Sequence, residues 1–301
     1  MTITCGANTC NDDTASSIRQ HTLGRSAHWR GVRRQRRTDV LVVHPAEADS
    51  GIRFVRYGEV PTTGIPARWD SVVDTRGGIV LGNTQGSTLR GAIPLLAALR
   101  VAGIDNAVVE VRGSRITEEV SDFEFYLGML TEAGVQAQAA ARRLQRVVDT
   151  VEVRDSFGFA RLSPDTEFRA CVNLTTIQPG GNTDIACATL VSDFTEPYAG
   201  LNATLGGSSV EKLVQAGDTG VSRPLREILA LPETLRTVVV DMIGHLALAG
   251  APVAGYVRSH GRGPRLYQEL LHAVMGRGAV SLTTVDAHRA RHNSVSGTNG
   301  K

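Results

Sequence analysis

The sequence predicts an α+β fold with two domains, because strand-like runs are followed by helical segments twice along the chain. In the first half, the apolar run Thr38–Val43 and the alternating run Ile52–Tyr57 precede an apolar helical segment at Ile93–Val101. In the second half, the strand-like run Phe168–Leu174 precedes a helical segment at Glu233–Ala249. We therefore expect two α+β layers of similar size.

The boundaries of these domains follow from where the polar segments lie. We expect residues 1–20 to form a disordered tail, residues 21–141 the first domain, and residues 142–285 the second domain. Residues 286–301 are polar throughout and are expected to form a second disordered tail.

The elements of the first half have recognisable ends. Pro94 is compatible with the helix at Ile93–Val101 because it falls in the first turn, where a missing N–H breaks no hydrogen bond. Gly103 ends that helix, and Asn106–Val111 is apolar enough for a buried strand. Apolar residues at helical spacing then predict a second helix over Asp122–Ala133.

The second half adds a strand pair and three further elements. Val147–Val153 and Gly158–Leu162 are predicted to pair as neighbouring strands. Ser208 is a suitable N-cap for a helix over Ser208–Ala216. A short strand at Ala254–Val257 and a helix at Pro264–Met275 complete the predicted fold.

The bulk composition excludes several classes of protein. The 301 residues are 42% hydrophobic and 21% charged, as in ordinary globular chains. A formal net charge of +2 gives no electrostatic case for nucleic acid, and no apolar stretch is long enough for a membrane span. The N-terminal residues are polar and acidic, unlike a secretory signal, so we expect a cytoplasmic protein. The sequence does not predict its oligomeric state.

Arginines crowd into one short stretch near the start of the chain. Five fall within eight positions: Arg30, Arg33, Arg34, Arg36 and Arg37. One interpretation is a solvated hairpin edge, where charge discourages strand pairing. The other is a clamp for phosphate or carboxylate, with Arg33 and Arg34 as candidate substrate-binding residues.

Three blocks of the sequence resemble one known family. The block Ser71–Val111, which ends in Gly-Ile-Asp-Asn-Ala-Val-Val-Glu-Val, is similar to the first domain of the UDP-3-O-acyl-N-acetylglucosamine deacetylases (the LpxC-like family). Val147–Pro164 and the block beginning at Asp241–Gly244 are similar to the second domain, and the resemblance spans residues 22–280. It implies two βα-sandwich domains that face each other across a cleft. In the family, this cleft holds zinc between two histidines and an aspartate, beside a glutamate base.

The resemblance also indicates which residues stand at the zinc-site positions. The positions of the glutamate base and of the first zinc-ligating histidine are taken by Ile93 and Pro94. The helical His-x-x-x-Asp pair of ligands corresponds to Thr237 and Asp241, so one ligand of three is kept. His260 stands one position away from a loop histidine that serves the family as an acid. We therefore expect no metal and no other cofactor.

A polar stripe on the predicted helix after Pro232 is the alternative site. Thr237, Asp241 and His245 follow each other at four-residue spacing, which places them on one face. Asp241 and His245 could form a carboxylate–imidazole dyad for proton transfer. The alternative interpretation is an ordinary side-chain pair on the helix surface, which stabilises the helix by about 0.2–0.5 kcal/mol. The candidate catalytic residues are thus His245, Asp241 and His260, with Thr237 as a candidate substrate contact.

Three hypotheses for function follow, and all involve a small-molecule substrate or ligand. The first is a metal-independent enzyme of specialised metabolism that catalyses cyclisation, dehydration or isomerisation of an acylated or polyketide-like molecule. The second is a non-catalytic protein that binds a ligand or a partner protein. The third is a zinc-dependent amide hydrolase with a rebuilt ligand set, for example Asp241, His245 and His260.

Overall fold

The strands and helices are taken from a computed structural model. It describes residues 18–32, 38–58, 63–116, 123–156, 158–177, 183–192, 204–206, 228, 231, 233–261 and 264–296. The elements before residue 142 are β1 Arg19–Leu23, β2 Ala27–Val32, β3 Thr38–Pro45, β4 Ile52–Arg56, β5 Ile65–Pro66, β6 Val72–Asp74, β7 Val80–Gly82, β8 Thr88–Arg90, α1 Ile93–Val101, β9 Ala107–Val111, α2 Phe123–Ala133 and β10 Val135–Ala141. Those after it are β11 Arg143–Val147, β12 Val151–Asp155, β13 Gly158–Ser163, β14 Phe168–Ile177, β15 Thr183–Ser192, β16 Thr204–Gly206, α3 Glu233–Ala247, β17 Val253–His260, α4 Pro264–Gly276, β18 Val280–Thr284 and α5 Val285–Ser296.

The first half of the chain builds three sheets. The largest has five strands in the order β2-β3-β9-β4-β5, in which β4 runs parallel to β9 and the other pairs are antiparallel. A three-stranded sheet β6-β7-β8 and the pair β1-β10 complete this half. Apolar residues of β3 and β9, such as Val43 and Val109, are fully buried and attach this sheet to the core.

The second half builds one large sheet. Its main path is β12-β13-β17-β14-β15-β16, and β11 joins it beside β17, with β18 on its outer edge. The long strand β17 pairs with both β13 and β14, so it forms the middle of this sheet.

Helices from both halves lie between these two large sheets. Helix α1 packs against α2 and α3, α2 contacts β2, and α4 joins α3 to β12 and β13. The order is therefore sheet, helices, helices, sheet, and the apolar helix faces form one continuous core. This confirms the predicted α+β fold. No helix in the described part of the chain is both long and apolar enough to cross a bilayer.

Several predicted elements are confirmed at their sequence positions. Helix α1 has the predicted bounds, with Pro94 in its first turn, and α3 begins at the predicted residue, Glu233. The strand predicted over Val147–Val153 is wrong as a single element, because β11 ends at Val147 and β12 begins at Val151. The break arises where the Val148 N–H leaves the ladder and donates to the Ala279 carbonyl over 2.9 Å. The predicted helix at Ser208–Ala216 lies outside the described residues.

The segment from Val285 to Ser296 is a helix, where the sequence predicted a disordered tail from residue 286. Thr284 accepts the Ala287 N–H at its side-chain oxygen over 3.2 Å, as an N-cap does. His288 is buried, and its Nε2–H donates to the Thr166 carbonyl over 2.7 Å. These contacts join distant parts of the chain, and the local polarity of the segment gives no sign of them.

Candidate functional site

The first turn of α1 lies directly against the middle of α3. A Cβ atom placed on Gly244 would be 2.5 Å from the main-chain oxygen of Ile93 and 2.6 Å from its Cγ2 atom. Such distances are far inside van der Waals contact, so the two helices approach this closely because residue 244 has no side chain. Ile93 is 8% exposed at this contact and is part of the core.

Asp241 lies one turn before this helix contact on α3. Burial raises the pKa of its carboxyl group from 3.8 to about 6. An adjacent cation would lower the pKa of a carboxylate, whereas desolvation raises it. Asp241 is therefore a partly buried carboxyl group that no strong cationic partner among the described residues stabilises.

His245 follows Asp241 by one turn and is completely buried, with 0% of its surface exposed. Its Nδ1 atom lies 2.6 Å from the main-chain oxygen of Asp241. A carbonyl oxygen can only accept, so Nδ1 carries the proton and Nε2 carries the lone pair. Nε2 is buried and has no hydrogen-bond partner among the described residues. Burial lowers the pKa of His245 to about 4, so the ring is neutral at physiological pH.

The surroundings of His245 close it off from solvent. The ring of Tyr267, on α4, lies 6.2 Å from the His245 ring between centroids. The Tyr267 hydroxyl forms a 2.9 Å hydrogen bond with the Ser259 hydroxyl on β17. Both residues are buried, so they form a polar cluster inside the helix layer.

This geometry differs from the predicted dyad. The four-residue spacing does bring Asp241 and His245 together, but His245 bonds to the Asp241 main chain and not to its carboxylate. The His245 imidazole has no exposed surface, so it does not contact a ligand in this conformation. Its pKa is lowered to about 4. It is not poised as a base near neutral pH, because the best catalytic pKa lies close to the working pH.

The other predicted site residues lie apart from this cluster. Thr237 is exposed and donates its hydroxyl proton to the Glu233 carbonyl over 2.9 Å. His260 stacks on Phe159 with ring centroids 6.5 Å apart. Because side chains alternate along a strand, His260 and the helix-facing Ser259 point to opposite faces of the sheet. The structure therefore does not bring His260 to His245. Arg33 and Arg34 lie outside the described residues.

Sequence reasoning missed Tyr267 and Ser259 as members of the buried cluster. A weak signal was available, because Ser259 occupies the same face of β17 as the buried apolar residue Val257. A polar residue on a buried face needs a partner, and Tyr267 supplies one.

The residues at the implied zinc positions do not fit a zinc ion bound as in the resemblance. Zinc in proteins takes thiolate, imidazole or carboxylate ligands, and Pro94 and Thr237 supply none of these. Asp241 has a suitable side chain, but burial raises its pKa, and no positive charge among the described residues offsets that effect. Among the residues that the structure describes, no group of three or more His, Cys, Asp or Glu side chains is arranged to hold a metal ion.

Comparison with known proteins agrees with the architecture. The four-layer α+β fold is the architecture of a class of protein built like the deacetylases of acylated amino sugars. The family described as UDP-3-O-acyl N-acetylglycosamine deacetylase matches residues 20–196, which is more than half of the chain. The chain belongs to this family.

Curated relatives extend the likeness over most of the chain. The UDP-3-O-acyl-N-acetylglucosamine deacetylase of Citrifermentans bemidjiense is 28% identical over 277 residues, which cover 86% of this chain and 90% of that protein. The protein of the same name from Idiomarina loihiensis is 28% identical over 291 residues, 91% of this chain and 95% of its own length. That of an Anaeromyxobacter species is 33% identical over 253 residues, 78% of this chain and 81% of its own length.

Proposed function

We propose that this family member does not carry out zinc-dependent deacetylation and that it works by binding a small molecule without converting it. The second of the sequence-based hypotheses is therefore preferred to the first. The proposal concerns the chain's own residues at the place where α1 meets α3, because the family's chemistry depends on this place.

The contact between Ile93 and Gly244 is the observation that carries the proposal. The resemblance implies a glutamate base at the position of Ile93, which is apolar. The main chain of Ile93 packs against α3 at Gly244, which has no side chain. Loss of a general base costs a factor of about 10²–10⁴ in rate. The imidazole of His245, on α3, is completely buried and therefore does not replace this base.

The test uses the substrate class printed in the relatives' names. The purified full-length chain is assayed for deacetylation of UDP-3-O-acyl-N-acetylglucosamine, with and without added zinc. The Citrifermentans bemidjiense relative is measured in parallel as a positive control. We expect this chain to be slower by at least about 10²-fold under both conditions, because the base and two ligands are missing.

Zinc-stimulated deacetylation by this chain would contradict the proposal. Zinc-stimulated turnover within about tenfold of the relative's would show that other residues supply the ligands and the base, because a missing base alone costs more than that. The non-catalytic proposal would then fail, and the hypothesis of a rebuilt zinc site would replace it.

A second candidate function is favoured by the raised pKa of Asp241. A carboxyl group with a pKa of about 6 is suited to proton transfer near neutral pH, as the first hypothesis requires, but with Asp241 and not His245 as the acting group. The candidate substrate stays an acylated or polyketide-like molecule. If turnover of such a molecule is found, Asp241→Asn should abolish it and His260→Ala should not; activity retained in Asp241→Asn would reject this candidate.

A further inference from the structure

A cavity of about 470 Å³ lies between the two halves of the chain, outside the region around Asp241. The first half of the chain lines it with the loop before β4 and the segment around Arg68, and the second half with Arg143, Gln145 and Leu282. Residues Ala249–Pro252, which follow α3, close one side. Its volume falls in the range of about 300–1,000 Å³ that is usual for small-molecule sites.

The wall around Asp49 is held in place by a polar network. Asp49 accepts a 2.7 Å hydrogen bond from the Gln20 side chain, and its Oδ1 lies 2.9 Å from Nη2 of Arg143 in the other half. The backbone of Asp49 has a φ of 65°, a left-handed conformation that residues other than glycine rarely adopt. Asp49 therefore holds the Arg143 guanidinium by direct contact at the edge where the two halves meet.

Two further lining residues, Asp105 and Asn106, are polar and are held in place by hydrogen bonds and ion pairs. Asp105 Oδ1 accepts a 3.1 Å hydrogen bond from Arg142 Nε and lies 3.7 Å from Arg100 Nη1. Asn106 accepts the Gly51 N–H over 2.8 Å and donates to the Gln20 side chain over 2.8 Å. Because these groups are fixed by one another, a ligand entering the cavity would not have to order them, which favours binding.

The charges on the walls are unbalanced in favour of arginine. Four arginines line the cavity, namely Arg53, Arg68, Arg100 and Arg143, against two carboxylates, Asp49 and Asp105. Asp49 is matched by Arg143, and Asp105 by Arg100. Arg68 pairs with Asp70, which does not line the cavity, so Arg53 is the lining arginine left without a carboxylate among the described residues.

Arg53 and Arg68 lie on the same rim of the cavity. Arg53 is the cross-strand neighbour of Pro66, and Arg68 follows two residues later. Arg68 places Nε and Nη2 on the two carboxylate oxygens of Asp70 at 3.1 and 3.0 Å, which leaves its remaining donors available. Within the described ranges, Arg53 has no ion-pair partner of its own.

We propose that this cavity binds a small anionic molecule, with Arg53 and Arg68 holding its carboxylate or phosphate group. A guanidinium recognises either group through paired N–H donors, and a partly enclosed wall strengthens that interaction relative to bulk water. Arg143 and Gln145, from the second half of the chain, also line the cavity and contact the remainder of the ligand in this proposal. The inference rests on the proposed binding function and gives it a ligand class.

Calorimetric titration of the full-length chain with two probes tests the proposal. Sodium pyrophosphate represents the phosphate source and citrate the carboxylate source, and sodium chloride at matched ionic strength is the control for screening. We expect saturable binding of at least one probe with a Kd below about 1 mM. The Arg53→Gln/Arg68→Gln variant should bind that probe at least about tenfold more weakly, because both charge-assisted anchors are gone.

A matched variant separates the cavity from general surface charge. Arg265 is an exposed arginine paired with Glu269 on α4 and does not line the cavity, so Arg265→Gln should bind as the unchanged chain does. Arg68 is exposed and Arg53 is partly exposed. Cooperative unfolding of the double variant will verify that it is folded. Absence of binding for both probes, or equal affinity in the double variant and the unchanged chain, would overturn the proposal. Neither result depends on deacetylation, which the assay of zinc-dependent activity measures separately.

Discussion

At the scale of single residues, a buried carboxyl group and a buried imidazole lie one turn apart on α3 without pairing through their side chains. Asp241 has a pKa raised to about 6 and His245 a pKa lowered to about 4, both mainly through burial. Shifts in these directions show that each group is more stable in its uncharged form. Such residues destabilise the fold when charged, and their substitution has a predictable effect.

Replacing Asp241 with asparagine should stabilise the protein above neutral pH. A carboxyl pKa raised from 3.8 to about 6 means that the folded state binds more protons than the unfolded state between these values. Stability therefore falls as pH rises through that window and stays lower above it. Asp241→Asn removes this loss, which at about 1.4 kcal/mol per pKa unit amounts to at most roughly 3 kcal/mol.

Denaturant unfolding of both proteins at pH 8 and pH 4 measures this effect. The variant should gain stability at pH 8 and lose most of that advantage at pH 4. If Asp241 instead held a cation, the substitution would destabilise the protein at pH 8, so a loss of stability there would contradict the account.

The sequence predicted part of this residue-scale arrangement. Helical spacing alone correctly placed Asp241 and His245 on one side of α3. It could not show that the imidazole would bond to a main-chain oxygen, because a side-chain rotamer depends on the surrounding packing. It also could not show that Tyr267, from a later helix, would cover the ring.

At the scale of elements, the close approach of α1 and α3 joins the helices of the two halves of the chain. Gly244 is the position where α3 has no side chain, and the first turn of α1 occupies that space. The bounds of α1 could be predicted because its apolar spacing, its proline and the following glycine all agree. The contact itself could not, because it joins residues about 150 positions apart in the chain, beyond any local pattern.

Gly244→Ala should therefore destabilise the protein. An added methyl group would lie 2.5 Å from a main-chain oxygen, so the helices would have to separate. Overpacking of this kind costs about 1–3 kcal/mol. Gly128→Ala on α2 is the matched control, because a Cβ there meets nothing within 4 Å.

The control should move in the other direction, since alanine is favoured over glycine in a helix by about 1 kcal/mol. Thermal unfolding of the two variants beside the unchanged chain provides the comparison. Equal stability changes in both would show that α1 and α3 are not in close contact at residue 244.

At the scale of the whole molecule, Arg142 ties the two halves together. Its guanidinium contacts Asp105 and the Gly103 carbonyl of the first half, while its main-chain carbonyl accepts from Val285 of the second. It is 2% exposed, so these contacts are shielded from water. The resemblance correctly indicated the overall architecture, but no local pattern indicated that a single arginine would connect the halves.

Removing this arginine should weaken the whole fold. Arg142→Ala leaves Asp105, whose side chain is 11% exposed, with a reduced set of partners, and breaking a buried pair typically costs about 3–5 kcal/mol. The neighbouring Arg143→Ala removes a half-exposed pair with Asp49 and should cost less than about 1 kcal/mol. Urea unfolding of both variants tests this, and similar losses for the two would contradict the role of Arg142.

The most direct test of the central claim is the zinc content of the purified chain. The protein is expressed with zinc in the medium, dialysed without chelator and analysed by elemental mass spectrometry beside the Citrifermentans bemidjiense relative. The resemblance assigns Pro94 and Thr237 to two of the three ligand positions, so we predict far less than one zinc per chain. About one zinc per chain in the unchanged protein, lost on Asp241→Ala, would contradict the account.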